Sequence, residues 1–282
     1  MFNKVFSKTY PIIGVIHLDP LPGQIGFSSM DNLIKQTISS LARFQKGGVD
    51  GILIENASDK PHTMTISKAQ VAAMSILVKE AVKKSDIPIG VTCLLLDWEA
   101  NFAIAKTSRA KFTRLNVFVD TVMREVNTWG TISPDCRGII RINPLEIKSY
   151  RETLNAKNIL LLADIHVKYM SMLEPNKTIQ ESAKQAEIYG ADAVIISGSR
   201  TGLPTNKEDI IKAQEGGNLP VLIGSGLIKQ DVPTLLPYAD GAIVGTAFEK
   251  KEGEIESSKV KSFMNEVYEL RKKNKTHAEK KL

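Results

Sequence analysis

Two turns near the C-terminal end of the chain each follow a short apolar run and contain glycine. They lie in residues 221–226 (VLIGSG) and 242–247 (AIVGTA). Glycine lets a backbone approach a ligand closely, and backbone N–H groups with the hydroxyls of Ser225 and Thr246 suit an anion. We therefore predict a phosphate site in these turns and in the loop after the preceding strand, formed by the following residues: Gly198, Ser199, Gly224, Ser225, Gly226, Gly245 and Thr246.

Ionisable side chains end or follow most of the other apolar runs. We predict that five of them transfer protons or polarise a carbonyl group: His17, Glu55, Asp97, Asp164 and Lys168. A histidine titrates near neutral pH, and carboxylates in different surroundings can serve as acid and base. Five polar residues are predicted to bind the rest of the substrate: Asn56, Asp59, Arg114, Asn116 and Ser197.

Other interpretations of these residues stay open. The carboxylates could form a structural network of ion pairs with Arg114 and Lys168. Their oxygen atoms could hold a divalent metal, although we firmly predict neither a cofactor nor a metal ligand. Lys168 could form a Schiff base, but its position beyond the strand favours pairing with a carboxylate or with substrate phosphate. His62, which follows a proline in a loop, is predicted to lie on the surface.

The elements that position these residues are eight apolar, β-branched runs that alternate with amphipathic segments. The runs lie at residues 11–17, 51–55, 88–94, 112–118, 159–163, 193–197, 221–223 and 242–244. Continuous apolar runs are typical of parallel strands covered on both faces. The alternation favours an α/β fold with a single (β/α)8 TIM barrel over a doubly wound sheet. Active sites of such barrels lie at the C-terminal ends of the strands.

Helices are predicted between the strands, and most begin at a side chain that can cap the helix N-terminus. The predicted caps are Ser28 or Ser29, Ser67, Asn143 and Asn206. The first helix should end at the paired glycines 47–48. The last helix, around residues 260–268, has apolar residues at spacings of three and four and is predicted to close the barrel.

One connection is too long for a simple loop between strand and helix. Residues 119–143 separate the fourth run from the next helix, whereas such loops usually contain a few residues. We predict that this insertion after strand 4 is either a functional lid or a small hairpin. Residues 138–142 are predicted to form a strand within it.

Composition predicts one globular domain. The 282 residues are 43% hydrophobic and carry a formal net charge of +6. We assign residues 1–270 to the barrel and 271–282 to a basic tail. The tail suits solvent better than nucleic acid, while peripheral membrane contact stays open.

Two cysteines without metal-ligand spacing, and an N-terminus without a signal-peptide core, favour a cytoplasmic protein without a membrane span. Barrels of this type often form homo-oligomers.

Several motifs, in their order along the chain, are similar to those of one known family. The most specific are residues 17–23 (HLDPLPG) and 55–59 (ENASD). The others include residues 47–51 (GGVDG), 163–168 (ADIHVK), 197–202 (SGSRTG), 224–226 (GSG) and 240–246 (DGAIVGT). The chain thus resembles the BtpA family, also called BtpA/SgcQ and named for a photosystem I biogenesis factor. The resemblance implies a barrel with a pocket and leaves the reaction undefined.

The strand-end residues favour an enzyme that acts on a small phosphorylated metabolite by acid–base chemistry. The metabolite would be a sugar or nucleoside phosphate, and the enzyme a lyase, isomerase or hydrolase. The family name suggests instead a non-catalytic assembly factor, which would tolerate substitutions at the strand ends. A barrel that senses a metabolite is a third interpretation, consistent with departures from the family motifs at Leu96 and Tyr169. We prefer the enzyme, because a scaffold has no need of so many ionisable strand ends.

Overall fold

Eight parallel strands form a closed barrel in the computed structural model of the protein, which describes residues 1–124, 133, 136–198, 203–251 and 253–279. In chain order, the strands are β1 (Ile12–His17), β2 (Gly51–Glu55), β3 (Ile89–Thr92), β4 (Phe112–Leu115), β5 (Val122–Arg124), β6 (Gly138–Ile140), β7 (Leu160–Asp164), β8 (Met170–Met172), β9 (Ala193–Ile196), β10 (Val221–Ile223), β11 (Gly241–Val244), β12 (Glu249–Lys251) and β13 (Glu254–Ile255). The barrel order is β1-β11-β10-β9-β7-β4-β3-β2. The predicted (β/α)8 TIM barrel is confirmed.

Helices surround the barrel, and four of them begin at caps that the sequence predicts. They are α1 (Phe2–Val5), α2 (Met30–Gly47), α3 (Lys68–Lys84), α4 (Trp98–Ser108), α5 (Pro144–Thr153), α6 (Ile179–Ile188), α7 (Lys207–Glu215), α8 (Val232–Leu235) and α9 (Ser257–Glu279). Ser29, Ser67, Asn143 and Asn206 each accept a hydrogen bond from the backbone of the helix that follows. α2 ends at Gly48, whose φ of 91° suits glycine.

Apolar side chains fill the barrel, and the N-terminal segment covers one of its ends. The interior is lined by Ile13, Val15, Leu53, Phe112, Leu160, Leu162, Ala193, Ile195, Leu222 and Ile243. The ring of Phe6 packs between those of Phe2 and Phe112, at centroid distances of 5.0 and 5.4 Å. Because this end is covered, the C-terminal ends of the strands are left to receive a ligand.

A three-stranded antiparallel sheet stands over one side of this C-terminal mouth. β5 is the central strand and pairs with β6 and β8. The sheet packs on Leu94, Leu95 and Val167, which follow β3 and β7. The hairpin predicted within residues 119–143 is therefore present, with its second strand at Gly138–Ile140. β8, from the connection after β7, adds a strand that we did not predict.

The last helix ties the end of the chain to the start of the barrel. Tyr268 donates a hydrogen bond of 3.0 Å to the carbonyl of Gly48, so α9 is joined to the end of α2. α9 continues past residue 270, the domain end that we predicted, and Arg271 donates to the carbonyl of Tyr10 at 2.9 Å and pairs with Asp50. Within the described ranges, none of the helices has the length and apolar character needed to cross a bilayer.

Candidate active site

A cavity of about 610 Å³ opens at the C-terminal ends of the barrel strands. This volume is typical of small-molecule sites. Nine of the predicted site residues line it: His17, Glu55, Arg114, Lys168, Gly224, Ser225, Gly226, Gly245 and Thr246. Residues distant in sequence meet here because the parallel strands of a barrel all end at the same rim.

His17 ends β1 and is oriented by a carboxylate. Its Nδ1 lies 2.8 Å from Oε1 of Glu249, whose side chain is 8% exposed. In the neutral tautomer that donates Nδ1–H to Glu249, Nε2 is the basic nitrogen, and the carboxylate stabilises the imidazolium that forms when Nε2 takes up a proton. The ring lies against Gly245, where a methyl group would come within 3.3 Å of Cε1. The pair is suited to general base catalysis.

Arg114 and Asp164 form a buried ion pair with two hydrogen bonds. Nε of Arg114 donates to Oδ2 at 2.9 Å, and Nη2 donates to Oδ1 at 3.1 Å. Burial raises the pKa of Asp164, and the charge and hydrogen bonds of Arg114 oppose this rise. Arg114 lines the cavity, whereas Asp164 does not. Asp164 therefore positions Arg114, which is the structural alternative that the sequence left open.

Lys168 reaches the cavity from a strained segment after β7. His166 and Tyr169 have φ values of 47° and 62°, which most side chains disfavour. Burial, reinforced by repulsion from Arg114, lowers the pKa of Lys168 from 10.5 to about 8. We expected Lys168 to pair with a carboxylate or with substrate phosphate, and no described carboxylate forms an ion pair with it. A lysine that titrates near neutral pH can act as an acid, a base or a nucleophile.

Glu55 ends β2 and faces the same cavity. The residue is 8% exposed, and its carboxylate forms no hydrogen bond or ion pair with another residue of the described ranges. Its charge attracts that of Lys168 and opposes the lowering of the lysine pKa. A carboxylate whose lone pairs are not engaged by the protein is available to accept a proton from a ligand.

The two glycine turns border the cavity together. A methyl group on Gly224 would collide with Ser197, and one on Gly226 would collide with the carbonyl of Leu203, while Gly226 also has a φ of 75°. Side-chain packing thus favours glycine at position 224, and backbone conformation and contact require it at position 226. The buried hydroxyls of Ser197 and Ser225 have no hydrogen-bond partner within the described part of the chain. Such hydroxyls, beside backbone N–H groups, suit an anion.

Asn56 and Asp59, both predicted to bind substrate, support the loops instead. Nδ2 of Asn56 donates to Asp59 at 3.0 Å, and its Oδ1 accepts the N–H of Leu94 at 2.7 Å. Asp59 also accepts hydrogen bonds from the N–H of Leu21 at 2.9 Å and from Gln70 at 2.7 Å. Both residues are at most 2% exposed and do not line the cavity. The geometry gives them a structural role in joining the loops after β1, β2 and β3.

Asp97, predicted to be catalytic, caps a helix. Its Oδ1 accepts the N–H of Ala100 in α4, and its Oδ2 accepts the N–H of Ile66, both at 2.9 Å. The residue does not line the cavity, and we leave it out of the acid–base set. Gly198 packs on the carbonyls of the loop at residues 203–204 and is also outside the cavity, whereas Ser199 lies outside the described residues.

Five polar residues that we did not predict as site residues also line the cavity: Asp19, Ser58, Lys60, His62 and Glu249. The surface position predicted for His62 is wrong, because the residue is 3% exposed. Burial lowers its pKa, which favours the neutral ring. Asp19 and Ser58 belong to the two most specific family motifs, and that membership could have indicated them.

A second cavity of about 70 Å³ adjoins the first on the side of the three-stranded sheet. Its lining comprises Glu55, Leu94, Leu95, Arg114, Asn116, Arg124, Val167, Lys168, Tyr169 and Met170. Glu55, Arg114 and Lys168 line both cavities and therefore form a shared wall. Asn116, predicted to contact substrate, lies in this smaller cavity.

The described residues give no support to the oxygen-ligand metal site that the sequence left open. Among the described residues, no three side chains of His, Cys, Asp or Glu converge as ligands would. Two of the carboxylates considered, those of Asp97 and Asp164, are engaged by backbone N–H groups or by Arg114. The ionisable groups of the larger cavity are therefore interpreted as acids, bases and charge partners.

Fold and cavity define a (β/α)8 barrel with a polar site at its C-terminal mouth. The model of the BtpA family matches residues 8–269, and the chain belongs to this family. It is 36% identical over 237 residues to an uncharacterized protein of Pyrococcus abyssi, covering 84% of this chain and 86% of that protein. It is 32% identical over 255 residues to the photosystem I biogenesis protein BtpA of Synechocystis, covering 89% and 84% of the two chains.

Solved structures with the same fold are much more distant in sequence. Thiamine phosphate pyrophosphorylase from Pyrococcus furiosus has a TM-score of 0.55 at 17% identity and covers 92% of this chain and 96% of its own. (S)-3-O-geranylgeranylglyceryl phosphate synthase from Thermoplasma acidophilum, in complex with sn-glycerol-1-phosphate, has a TM-score of 0.57 at 13% identity, with coverage of 95% and 96%. At these identities the likeness shows the barrel fold alone.

Proposed function

We propose that the protein is an enzyme that acts on a small phosphorylated metabolite, a sugar or nucleoside phosphate, by acid–base chemistry. One observation carries the proposal: the glycine turns, residues 224–226 and 245–246, line the same cavity as His17, Glu55 and Lys168. A phosphate held by the turns leaves the rest of the metabolite beside groups that can exchange protons.

The roles follow from the surroundings of each group. Glu55, whose carboxylate accepts no hydrogen bond from the described residues, takes a proton from the substrate. The charged form of Lys168, favoured below about pH 8, polarises the substrate oxygen on which charge develops. His17, oriented by Glu249, serves as the second proton carrier. These steps suit an isomerase or lyase, and with water as the nucleophile they suit a hydrolase.

The comparisons support the ligand class without defining the reaction. The names of both solved barrels contain a phosphate compound, and one of these structures holds sn-glycerol-1-phosphate. Barrels of this kind commonly bind phosphate with the loops after the last two strands. In this chain those loops follow β10 and β11 and contain the two glycine turns.

Proton exchange with solvent tests the proposal before the full reaction is known. In heavy water, wild-type protein should exchange a carbon-bound hydrogen of its substrate for deuterium, which proton NMR detects in a panel of sugar and nucleoside phosphates. Glu55→Gln, which keeps the shape and removes the base, should slow the exchange by on the order of a hundredfold or more.

Lys148→Met, an exposed lysine on α5, is the matched control and should exchange at the wild-type rate. If none of the panel binds, the proposed ligand class is wrong. If a panel member exchanges equally fast in the Glu55→Gln protein, the assignment of the base is wrong.

Anion binding should weaken as the pH rises through the pKa of Lys168. The folded-state pKa lies near 8, below the usual 10.5, so the lysine is charged below that value and loses its charge above it. Sulfate is the appropriate probe, because its charge is constant over this range. We expect its affinity, measured by calorimetry, to fall on the order of tenfold between about pH 7 and pH 9. The Lys168→Met protein should bind weakly at both pH values; a wild-type pH dependence in this variant would contradict the assignment.

A second candidate function is a non-catalytic assembly factor. The observation in its favour is the similarity to the Synechocystis photosystem I biogenesis protein. In such a role the cavity would be dispensable, so Glu55→Gln and Lys168→Met would leave assembly unchanged. Failure of the whole panel to bind, with these variants fully functional in assembly, would favour this candidate over the enzyme.

A further inference from the structure

Arg124 at the end of β5 is a buried cation that pairs with no carboxylate of the described residues. The residue is 4% exposed, its Nε lacks a hydrogen bond, and the guanidinium pairs with no carboxylate of the described ranges. The titratable groups near it are Cys136 and His62, and burial lowers the pKa of His62 and so favours its neutral form. Buried charges are normally paired, because an unpaired one is costly. Arg124 therefore requires an explanation.

The smaller cavity that Arg124 lines carries an uncompensated positive charge. Its ionised lining residues are Glu55, Arg114, Arg124 and Lys168. Asp164 neutralises Arg114 through two hydrogen bonds, and the charge of Glu55 attracts that of Lys168. Among the described lining residues, the charge of Arg124 therefore has no counter-charge. An anion bound in this cavity would supply it.

We propose that the smaller cavity is a carboxylate subsite, and that the ligand is a phosphorylated metabolite that also carries a carboxylate. The inference rests on the proposed function, since it places a second anionic group of the same ligand. Glu55, Arg114 and Lys168 form the wall shared by the two cavities. A ligand that extends from the glycine turns to Arg124 therefore passes the proposed acid–base residues.

Size and lining select a carboxylate over a second phosphate. The cavity has a volume of about 70 Å³, and Leu94, Leu95 and Val167 give it apolar sides. A carboxylate is planar, carries a single charge and matches the fork of a guanidinium through two parallel hydrogen bonds. The amide of Asn116 lines the same space and can donate to a carboxylate oxygen. A phosphate dianion is larger and more strongly hydrated, and the open glycine turns accommodate it better.

Two matched pairs of phosphorylated compounds test the subsite. In calorimetry, 3-phosphoglycerate is compared with glycerol 3-phosphate, and 6-phosphogluconate with sorbitol 6-phosphate; the members of each pair differ in the carboxylate. In at least one pair, wild-type protein should bind the compound with the carboxylate more tightly than the compound without it, on the order of tenfold or more. Arg124→Met should bring the affinity ratio of that pair close to one, whereas the control Lys148→Met should keep it.

Stability supplies a second measurement that needs no ligand. Arg124→Met removes a buried charge that no carboxylate in the described part of the chain neutralises, so the variant should unfold at the same or a higher temperature than wild type. A lower unfolding temperature would mean that the guanidinium is structural and would overturn the subsite. An affinity ratio of one for both pairs in wild type would also overturn it. Binding of the phosphate-only compounds is read separately: if these bind, the proposed function survives, and if they do not, both fail.

Discussion

Replacing Asp164 by alanine is expected to lower the free energy of unfolding by about 3–5 kcal/mol. Arg114, 7% exposed, would keep its charge inside the barrel mouth without the two hydrogen bonds that it now donates to Asp164. Most of this loss arises because the buried charge of Arg114 is left unpaired, and less of it arises from the lost attraction between Arg114 and Asp164. Denaturant unfolding followed by circular dichroism measures the change, provided that the transition is two-state.

Two controls separate this explanation from a general sensitivity of the barrel. In Arg114→Met/Asp164→Leu both charges are replaced by apolar groups, and most of the stability lost in the single variant should return. Glu152→Ala breaks the exposed pair with Lys157, whose side chains are 50% and 69% exposed, and should change stability by less than about 1 kcal/mol. A cost below about 1 kcal/mol for Asp164→Ala, or a double variant less stable than the single one, would contradict the argument.

The barrel could be predicted from the sequence because local and global requirements agree. Each barrel strand is an apolar run covered on both faces, and such runs differ sharply from the capped amphipathic helices between them. Capping is also a local property: Ser67 and Gln70 form the two reciprocal hydrogen bonds of a capping box within three residues of each other. No information about distant parts of the chain is needed for either inference.

The three-stranded sheet shows where local patterns are insufficient. Met170–Met172 lies in the connection after β7, and three residues are too few for a periodic pattern. The segment is a strand because β5 lies beside it, and β5 belongs to another loop. Arg124 faces the smaller cavity for the same reason, so the candidate carboxylate subsite could not be foreseen from its own neighbourhood in sequence.

The predicted residues that line the cavity lie within, at the end of, or a few residues after a barrel strand. His17 and Glu55 end β1 and β2, and the fold alone brings them to the cavity. Asp97 lies at the start of α4, where an acidic residue is a common cap, and the helix competes for its oxygens. His62 lies in the loop after β2 and Glu249 begins the short strand β12, so their approach to the cavity depends on how these segments outside the barrel strands fold back over the mouth.

Replacing Gly226 by alanine is expected to lower the free energy of unfolding by about 3 kcal/mol or more and to abolish sulfate binding. The φ of 75° costs an L-residue about 1–2 kcal/mol, and the new methyl group would collide with the carbonyl of Leu203, for which overpacking adds about 1–3 kcal/mol. A backbone carbonyl cannot rotate away as a side chain can, so the turn at residues 224–226 must move. Denaturant unfolding and calorimetry with sulfate measure the two effects.

Gly190, which lies between α6 and β9 at the opposite end of the barrel, is a match for the backbone part of this effect. Its φ is 90°, and a methyl group there would come no closer than 4.0 Å to any atom beyond its chain neighbours. Gly190→Ala should therefore show the conformational cost alone, about 1–2 kcal/mol, and retain sulfate binding. The difference between the losses in free energy of unfolding of the two variants measures the contribution of the contact between the turn after β10 and the loop at residue 203. Equal losses of stability would show that this contact does not hold the turn, and sulfate binding by Gly226→Ala would show that the turn is not the phosphate site.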